Sequence, residues 1–254
     1  MAQELVRMEK ISKFFGRVQA LDNVDFTVNN NEIVGLVGDN GAGKSTLIKI
    51  LSGALMPTSG DIYFKGQRVS VNNTRDAINL GIETIYQDSA LVTQLSIARN
   101  LFLGREPSKS LGFIKWLDKQ HMAHEAKMLL RRVGITKDID TDTPVAALSG
   151  GERQSIAIAR AMYFEADLII MDEPTNNLGV EETHRVLHFI KEAKAAGHSS
   201  IFIAHNIHHV FQVVDRIVVM RLGKKVADVR REDTTIEEVE RVITGLADMK
   251  AQVR

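Results

Sequence analysis

Ile33-Val-Gly-Leu-Val37, followed at once by Gly38-Asp-Asn-Gly-Ala-Gly-Lys-Ser45 and Thr46, decides how this chain is read. The first five residues are apolar and β-branched at Ile33, Val34 and Val37, as expected of a strand buried on both faces of a parallel sheet. The next eight match G-x-x-x-x-G-K-[ST], and residues 46–51 read as a helix. A triphosphate needs several donors at once and no bulky side chain in the way. Gly38, Gly41 and Gly43 let the backbone wrap closely and turn its N–H groups inward, with Asp39, Asn40 and Ala42 completing the cradle. The helix start near Lys44 adds the positive end of its dipole. Lys44 is expected to reach the β and γ phosphates. Ser45 is expected to hold Mg²⁺ through its hydroxyl, and Thr46 to touch a phosphate.

Working outward, Leu168-Ile-Ile-Met-Asp172-Glu173 is a second buried strand, and it delivers two carboxylates to its C-terminal edge. Ligands of open α/β sheets bind at that edge. Asp172 suits a magnesium ligand, and Glu173 suits the group that polarises or deprotonates an attacking water. Val24, Phe26 and Val28 alternate with Asp25 and Thr27, so residues 1–35 are expected to be strand-rich. Short strands are expected at 61–64, 82–86, 200–204 and 217–220, with a helix over 180–196. Residues 88–165 have a different texture. Met122, Ala126, Leu129, Leu130 and Val133 recur at helical spacing before Gly134, while 106–111 reads as a loop. Thr235-Ile-Glu-Glu238 has the pattern of a capping box opening a last helix.

Composition narrows the classes. Lys+Arg and Asp+Glu are both 32, which gives no basic field for nucleic acid. Absence of cysteine excludes a disulfide scaffold, a thiolate zinc site and a thiol nucleophile. No apolar run approaches the ~18–20 residues of a membrane span. The charged start, MAQELVRMEK, is unlike a secretory leader, so the cytoplasm is the expected compartment. His208 and His209 are too close in sequence for i, i+4 ligation and are expected on a helix surface. Trp116, the lone tryptophan, is expected to be a packed or interface aromatic.

Leu148-Ser-Gly-Gly-Glu152-Arg-Gln154 makes the reading specific. Ser-Gly-Gly is a poor opening for a core helix and a good one for a helix end that meets an anion. The stretch resembles the LSGGQ signature of ATP-binding cassette (ABC) ATPases, with Glu152 in the glutamine position. The order of the other motifs is also that of the family, over roughly residues 5–245.

The resemblance implies an α/β P-loop NTPase fold. It would have a mostly parallel sheet core, an N-terminal antiparallel β region and an inserted helical sub-domain at about 88–165, all within one ABC ATPase domain over 1–254. It implies that Gln87 is the Q-loop glutamine, a magnesium ligand and the link to the helical region. His205 takes the place of the switch histidine that contacts the γ-phosphate, and Phe15 that of the ring stacking on adenine. Phe14 is the alternative ring; spacing to Gly16 favours Phe15. Each chain then holds half of each active site. The phosphate loop of one subunit faces Ser149, Gly150, Gly151 and Glu152 of another, with ATP and Mg²⁺ between them, in a two-fold, head-to-tail dimer.

Residues 40–53 and Ala204-His-Asn-Ile207 resemble the monosaccharide-import branch in its single-cassette, fructose-type form. That implies membrane permease subunits, indirectly a sugar-binding protein, no nucleic acid, and a peripheral place on the cytoplasmic face of the inner membrane. About 50 residues follow His205, so the large C-terminal regulatory domain of maltose-type importers is not expected. Leu91, Leu95, Ile97 and Leu101 are candidates either for the groove that receives a permease helix or for ordinary core. Two other classes compete: a soluble, non-transport ABC ATPase acting on nucleic acid or ribosomes, and a P-loop small-molecule kinase. One motif departs from the family. Asn176-Asn-Leu-Gly179 stands where the D-loop usually reads Ser-Ala-Leu-Asp, so slower or less tightly coupled turnover is expected.

Overall fold

The computed structural model describes residues 3–85, 91–111, 114–133, 135, 137, 139–164, 166–176 and 178–246 (of Leu111, Ile114, Gln154 and Met162, the backbone alone). Tyr86, Gln87, Gly134 and Asn177, which carry expectations above, lie outside these residues.

The chain opens with long strands β1 (Glu4–Phe15) and β2 (Val18–Asn29). They pair antiparallel with Val6 opposite Val28, Met8 opposite Phe26 and Ile11 opposite Val24, so apolar side chains meet across the ladder. β3 (Ile33–Val37) leads into α1 (Lys44–Leu51). β4 (Ser59–Phe64) and β5 (Gln67–Val69) return to the first sheet, whose order is β2-β1-β4-β5. α2 (Thr74–Asn79) and β6 (Ile82–Ile85) follow.

The middle of the chain holds α3 (Ile97–Leu101), a hairpin of β7 (Ser108–Leu111) with β8 (Ile114–Leu117), α4 (Lys119–Arg132) and α5 (Gly150–Tyr163). Then come β9 (Leu168–Asp172), α6 (Val180–Ala195), β10 (Ser199–Ile203), α7 (Ile207–Val213), β11 (Arg216–Arg221), β12 (Lys224–Arg230) and α8 (Ile236–Ile243).

The main sheet runs β12-β11-β3-β10-β9-β6. Every pair from β6 to β11 is parallel, and β12 closes the edge antiparallel. This is the expected α/β architecture, a mostly parallel core beside an antiparallel N-terminal sheet. β3 shows how the core is divided. Val34 and Leu36 pack toward α1 and the first sheet, while Ile33 and Val37 pack toward α6 and α7. Successive strand residues point to opposite faces, so a wholly apolar pentapeptide serves two clusters. A third cluster, including Ile97, Phe102, Met122, Leu129 and Ile156, lies among α3, α4 and α5.

One expectation changes and two open readings narrow. Residues 106–111 are not all loop, because β7 pairs with β8, with Lys109 opposite Trp116. The Lys109 ammonium lies 2.9 Å from Asp118, the N-cap of α4, and ties the hairpin to that helix. Trp116 is 62% exposed, so of its two expected readings, packed or interface, the packed one falls. Ile97 and Leu101 are fully buried in the third cluster, so they are core and do not line an open groove.

Candidate active site

β3, β10 and β9 are neighbours and run parallel, so their C-terminal ends share one edge. The phosphate loop leaves β3, His205 follows β10, and Asp172 and Glu173 end β9. A cavity of about 420 Å³ opens there, lined by Val37, Gly38, Asp39, Asn40, Ala204, His205 and others.

The loop is shaped by close backbone packing. At Gly38 (φ 147°) a side chain would run into the Met220 carbonyl, and at Gly43 (φ 102°) it would meet Leu21 and the Ala20 carbonyl within 3 Å. Gly43 is the N-cap of α1 and offers no side chain to it, so the first N–H groups of the helix keep no side-chain cap. The floor of the loop is tied down from outside. Gly223 N–H donates to the Ala42 carbonyl (3.1 Å), and the Gly223 carbonyl accepts from Asp22 N–H (2.9 Å). Leu222 (φ 47°) and Gly223 (φ 77°) form the tight left-handed turn between β11 and β12.

Lys44 is buried and donates to the Gly38 and Asp39 carbonyls at 2.6 and 3.0 Å. Burial pulls its pKa below the usual lysine value, against the charges of Glu173, Asp172 and Asp39. Burial also raises the Asp172 carboxyl above the ordinary range, and neighbouring Glu173 adds to it; Lys49, Lys44 and His205 oppose the shift. Two ionisable groups shifted by burial in one cleft mark a candidate functional site.

Glu173 is held at three points. Its N–H donates to the Ile203 carbonyl (2.9 Å), one carboxylate oxygen lies 2.8 Å from His205 Nε2, and the other accepts from Asn176 Nδ2 (3.3 Å). Its φ of 54° is in the left-handed region, which costs a non-glycine residue roughly 1–3 kcal/mol and clusters at functional sites. His209 is half-buried on α7, not a free surface group. Its ring meets Thr175 Oγ1 and Asn206 Nδ2, each at 3.3 Å, and burial lowers its pKa. Sequence reasoning missed Asn176 and His209; the altered D-loop was the only signal for Asn176. Phe14 and Phe15 are both exposed at the end of β1, with Lys13 Nζ 5.3 Å from the Phe15 ring centre.

The Ser149 turn is built differently. α5 begins at Gly150, and Ser149 with Glu152 forms a reciprocal cap. Glu152 N–H donates to Ser149 Oγ (3.2 Å), and Ser149 N–H donates to Glu152 Oε2 (2.8 Å). The bond from Ser149 N–H holds the Glu152 carboxyl below its usual range. This is why glutamate is at home in the glutamine position: it is the N3 residue of a capping box. Ser149 Oγ serves the cap as an acceptor, so its own proton stays available to an outside oxygen. Ser149 and Gly150 are exposed, and among the described residues none of the hydrogen bonds of Ser149 or Glu152 reaches the phosphate loop.

Residues 21–176 match the ABC transporter family. The chain is 45% identical to a xylose/arabinose import ATP-binding protein of Sulfolobus acidocaldarius, over 96% of this chain and 95% of that one. It is 42% identical to a fructose import ATP-binding protein of Rhizobium meliloti, over 96% of each. A ribose import ATP-binding protein of Clostridium tetani is 41% identical over 94% of this chain, which spans about half (47%) of that longer relative. Among solved structures, a nucleotide-free ATP-binding cassette from an ABC transporter aligns over 95% of both chains with TM-score 0.80 and 29% identity. The parallel core, the phosphate loop, the capped Ser-Gly-Gly turn and these likenesses agree: the chain belongs to the ABC transporter family, as an ATP-binding cassette with ATPase function.

Proposed function

We propose that this chain hydrolyses ATP to drive import of a sugar, most simply a monosaccharide, through partner membrane subunits. The observation that carries this reading is likeness along the whole cassette, not the motifs alone, to import ATP-binding proteins for xylose/arabinose and fructose. No helix among the described residues is long and apolar enough to cross a membrane. The likeness to import ATP-binding proteins supports partner permease subunits, a peripheral place on the cytoplasmic face of the membrane and an indirect dependence on a sugar-binding protein. Zero net charge gives the nucleic-acid or ribosome reading no support.

The exposed, self-capped Ser149 turn supports the split-site mechanism. ATP lies in the loop of one chain, and Ser149 and the Gly150–Gly151 backbone of a second cassette, taken to be an identical copy, donate to its γ-phosphate. Lys44 leaves its two carbonyls for the β and γ phosphates. Glu173 prepares the attacking water, and His205 turns from Glu173 to the γ-phosphate. Ser45 and Asp172, with Gln87, are the oxygen donors that a hard cation such as Mg²⁺ takes, and the ion would neutralise charge on the phosphates.

The test is complementation. A Lys44→Ala chain and a Ser149→Arg chain are each expected to be inactive alone, and their mixed dimer to regain one working site. No recovery in mixed dimers shown to form would overturn the split site. Sugar import is tested separately, by whether sugar with its binding protein and permease stimulates phosphate release in membrane vesicles.

A further inference from the structure

One carboxylate outside the motifs sits between two of them. Glu182, in the first turn of α6, accepts the Gly179 N–H at 2.6 Å through Oε2. Its other oxygen lies where a side chain at Gly151 would begin: a Cβ there would stand 2.5 Å from Oε1 and 2.6 Å from Cγ. A Cβ at Gly179 would stand 2.7 Å from Oε2. The carboxylate therefore fills the side-chain space of two glycines at once. One belongs to the Ser-Gly-Gly turn at the head of α5, and the other ends the D-loop at the head of α6. Both helix heads favour a negative group.

A cap for α6 alone would not require this arrangement. An aspartate, serine or threonine at position 179 would cap the helix directly. Here position 179 is glycine, the cap comes from three residues on, and the side chain that supplies it also leans on Gly151. We propose that Glu182 is a positioning residue: it clamps the signature turn to the D-loop, so that both meet the partner-bound nucleotide as one piece. In doing so it provides the carboxylate that this D-loop lacks at Gly179. The proposal rests on the split-site reading above.

The test uses the full chain carrying Glu173→Gln, in which ATP-bound dimers are expected to accumulate. Two quantities are measured: ADP affinity of the single chain, which reports its own phosphate loop, and the ATP concentration giving half-maximal dimer by light scattering. Adding Glu182→Ala should leave ADP affinity within about twofold and raise the dimerisation midpoint about tenfold. Glu182→Gln keeps an acceptor of the same reach and should shift the midpoint by less than about threefold. Glu182→Asp keeps a charge at the helix head, and with it the fold, but reaches only one of the two glycines; it should shift the midpoint about fivefold. Loss of ADP affinity in step with dimerisation would assign Glu182 to its own loop and overturn the proposal, as would an unmoved midpoint in Glu182→Ala and Glu182→Asp. A Glu173→Gln parent that never dimerises with ATP would instead bring down the split site itself.

Discussion

At the carboxyl edge of the parallel sheet, beside the Glu173–His205 pair, Lys44 and Asp172 lie in a cleft where burial works against their charges. At the head of α5, Ser149 and Glu152 satisfy each other and turn an exposed edge outward. In the first region burial disfavours two of the charges, and in the second the cap partners satisfy each other. On the proposed reading a phosphate chain would pair with Lys44 in the first, while the second stays capped in solvent. On the split-site proposal, the contrast explains how one chain could hold two halves of a pocket that never meet within it.

The largest test of that contrast is Glu173→Gln, which should cut phosphate release about 10³-fold, within the range of a lost general base. A loss under tenfold would remove Glu173 from the chemistry. Asp172→Asn comes next, with about a 10²-fold loss of turnover. Its effect on stability should have the opposite sign. The folded chain holds the Asp172 proton at pH values where the unfolded chain has released it, so its contribution falls as pH rises through the raised pKa. Above the raised pKa the carboxylate is a burden, and there the nucleotide-free variant should melt higher. An unchanged or lower melting temperature would mean the cleft is not strained by charge.

Gly179→Asp restores the usual residue of the family. Because its side chain would press on Glu182 Oε2, turnover should fall about fivefold rather than rise. A faster enzyme would show that the missing acid limits the rate, as the sequence suggested. The smallest effect belongs to the capped region. Glu152→Ala removes half of a capping box and should cost about 1 kcal/mol in denaturant melts, with Glu152→Gln close to neutral. The Glu152 carboxyl titrates below its usual value, so this contribution is present above the ordinary glutamate range and is lost as pH falls through the lowered pKa. A cap effect that grows on acidification would contradict the assignment.

The sequence made legible whatever depends on residues close together in the chain. The strand before Gly38, the helix after it, the carboxylates ending β9 and the Thr235–Glu238 cap all follow from local pattern. The order of strands in the sheet does not, because pairing between Ile33–Val37 and Ser199–Ile203 joins segments far apart in sequence. The β7–β8 hairpin was hidden because Ser108-Lys-Ser-Leu111 has no apolar alternation; its anchor is the Lys109–Asp118 pair. Asn100 was equally silent. It is fully buried and bonds Val92, Leu95 and Ser96 backbone groups, a staple that exists only once the loop has folded over α3. Glu182 reads locally as an ordinary third helical residue, and its second contact comes from the approach of α5.

Hairpin tips are usually the safest places to insert a label or an epitope, because little leans on them. The Leu222–Gly223 tip is an exception. Its backbone joins the floor of the phosphate loop at Ala42 to β2 at Asp22, so it behaves as a rivet through three layers of chain. A few residues inserted there would loosen the grip on triphosphate while leaving every group that touches nucleotide intact. Tagging or fusion of this cassette is better kept away from that tip.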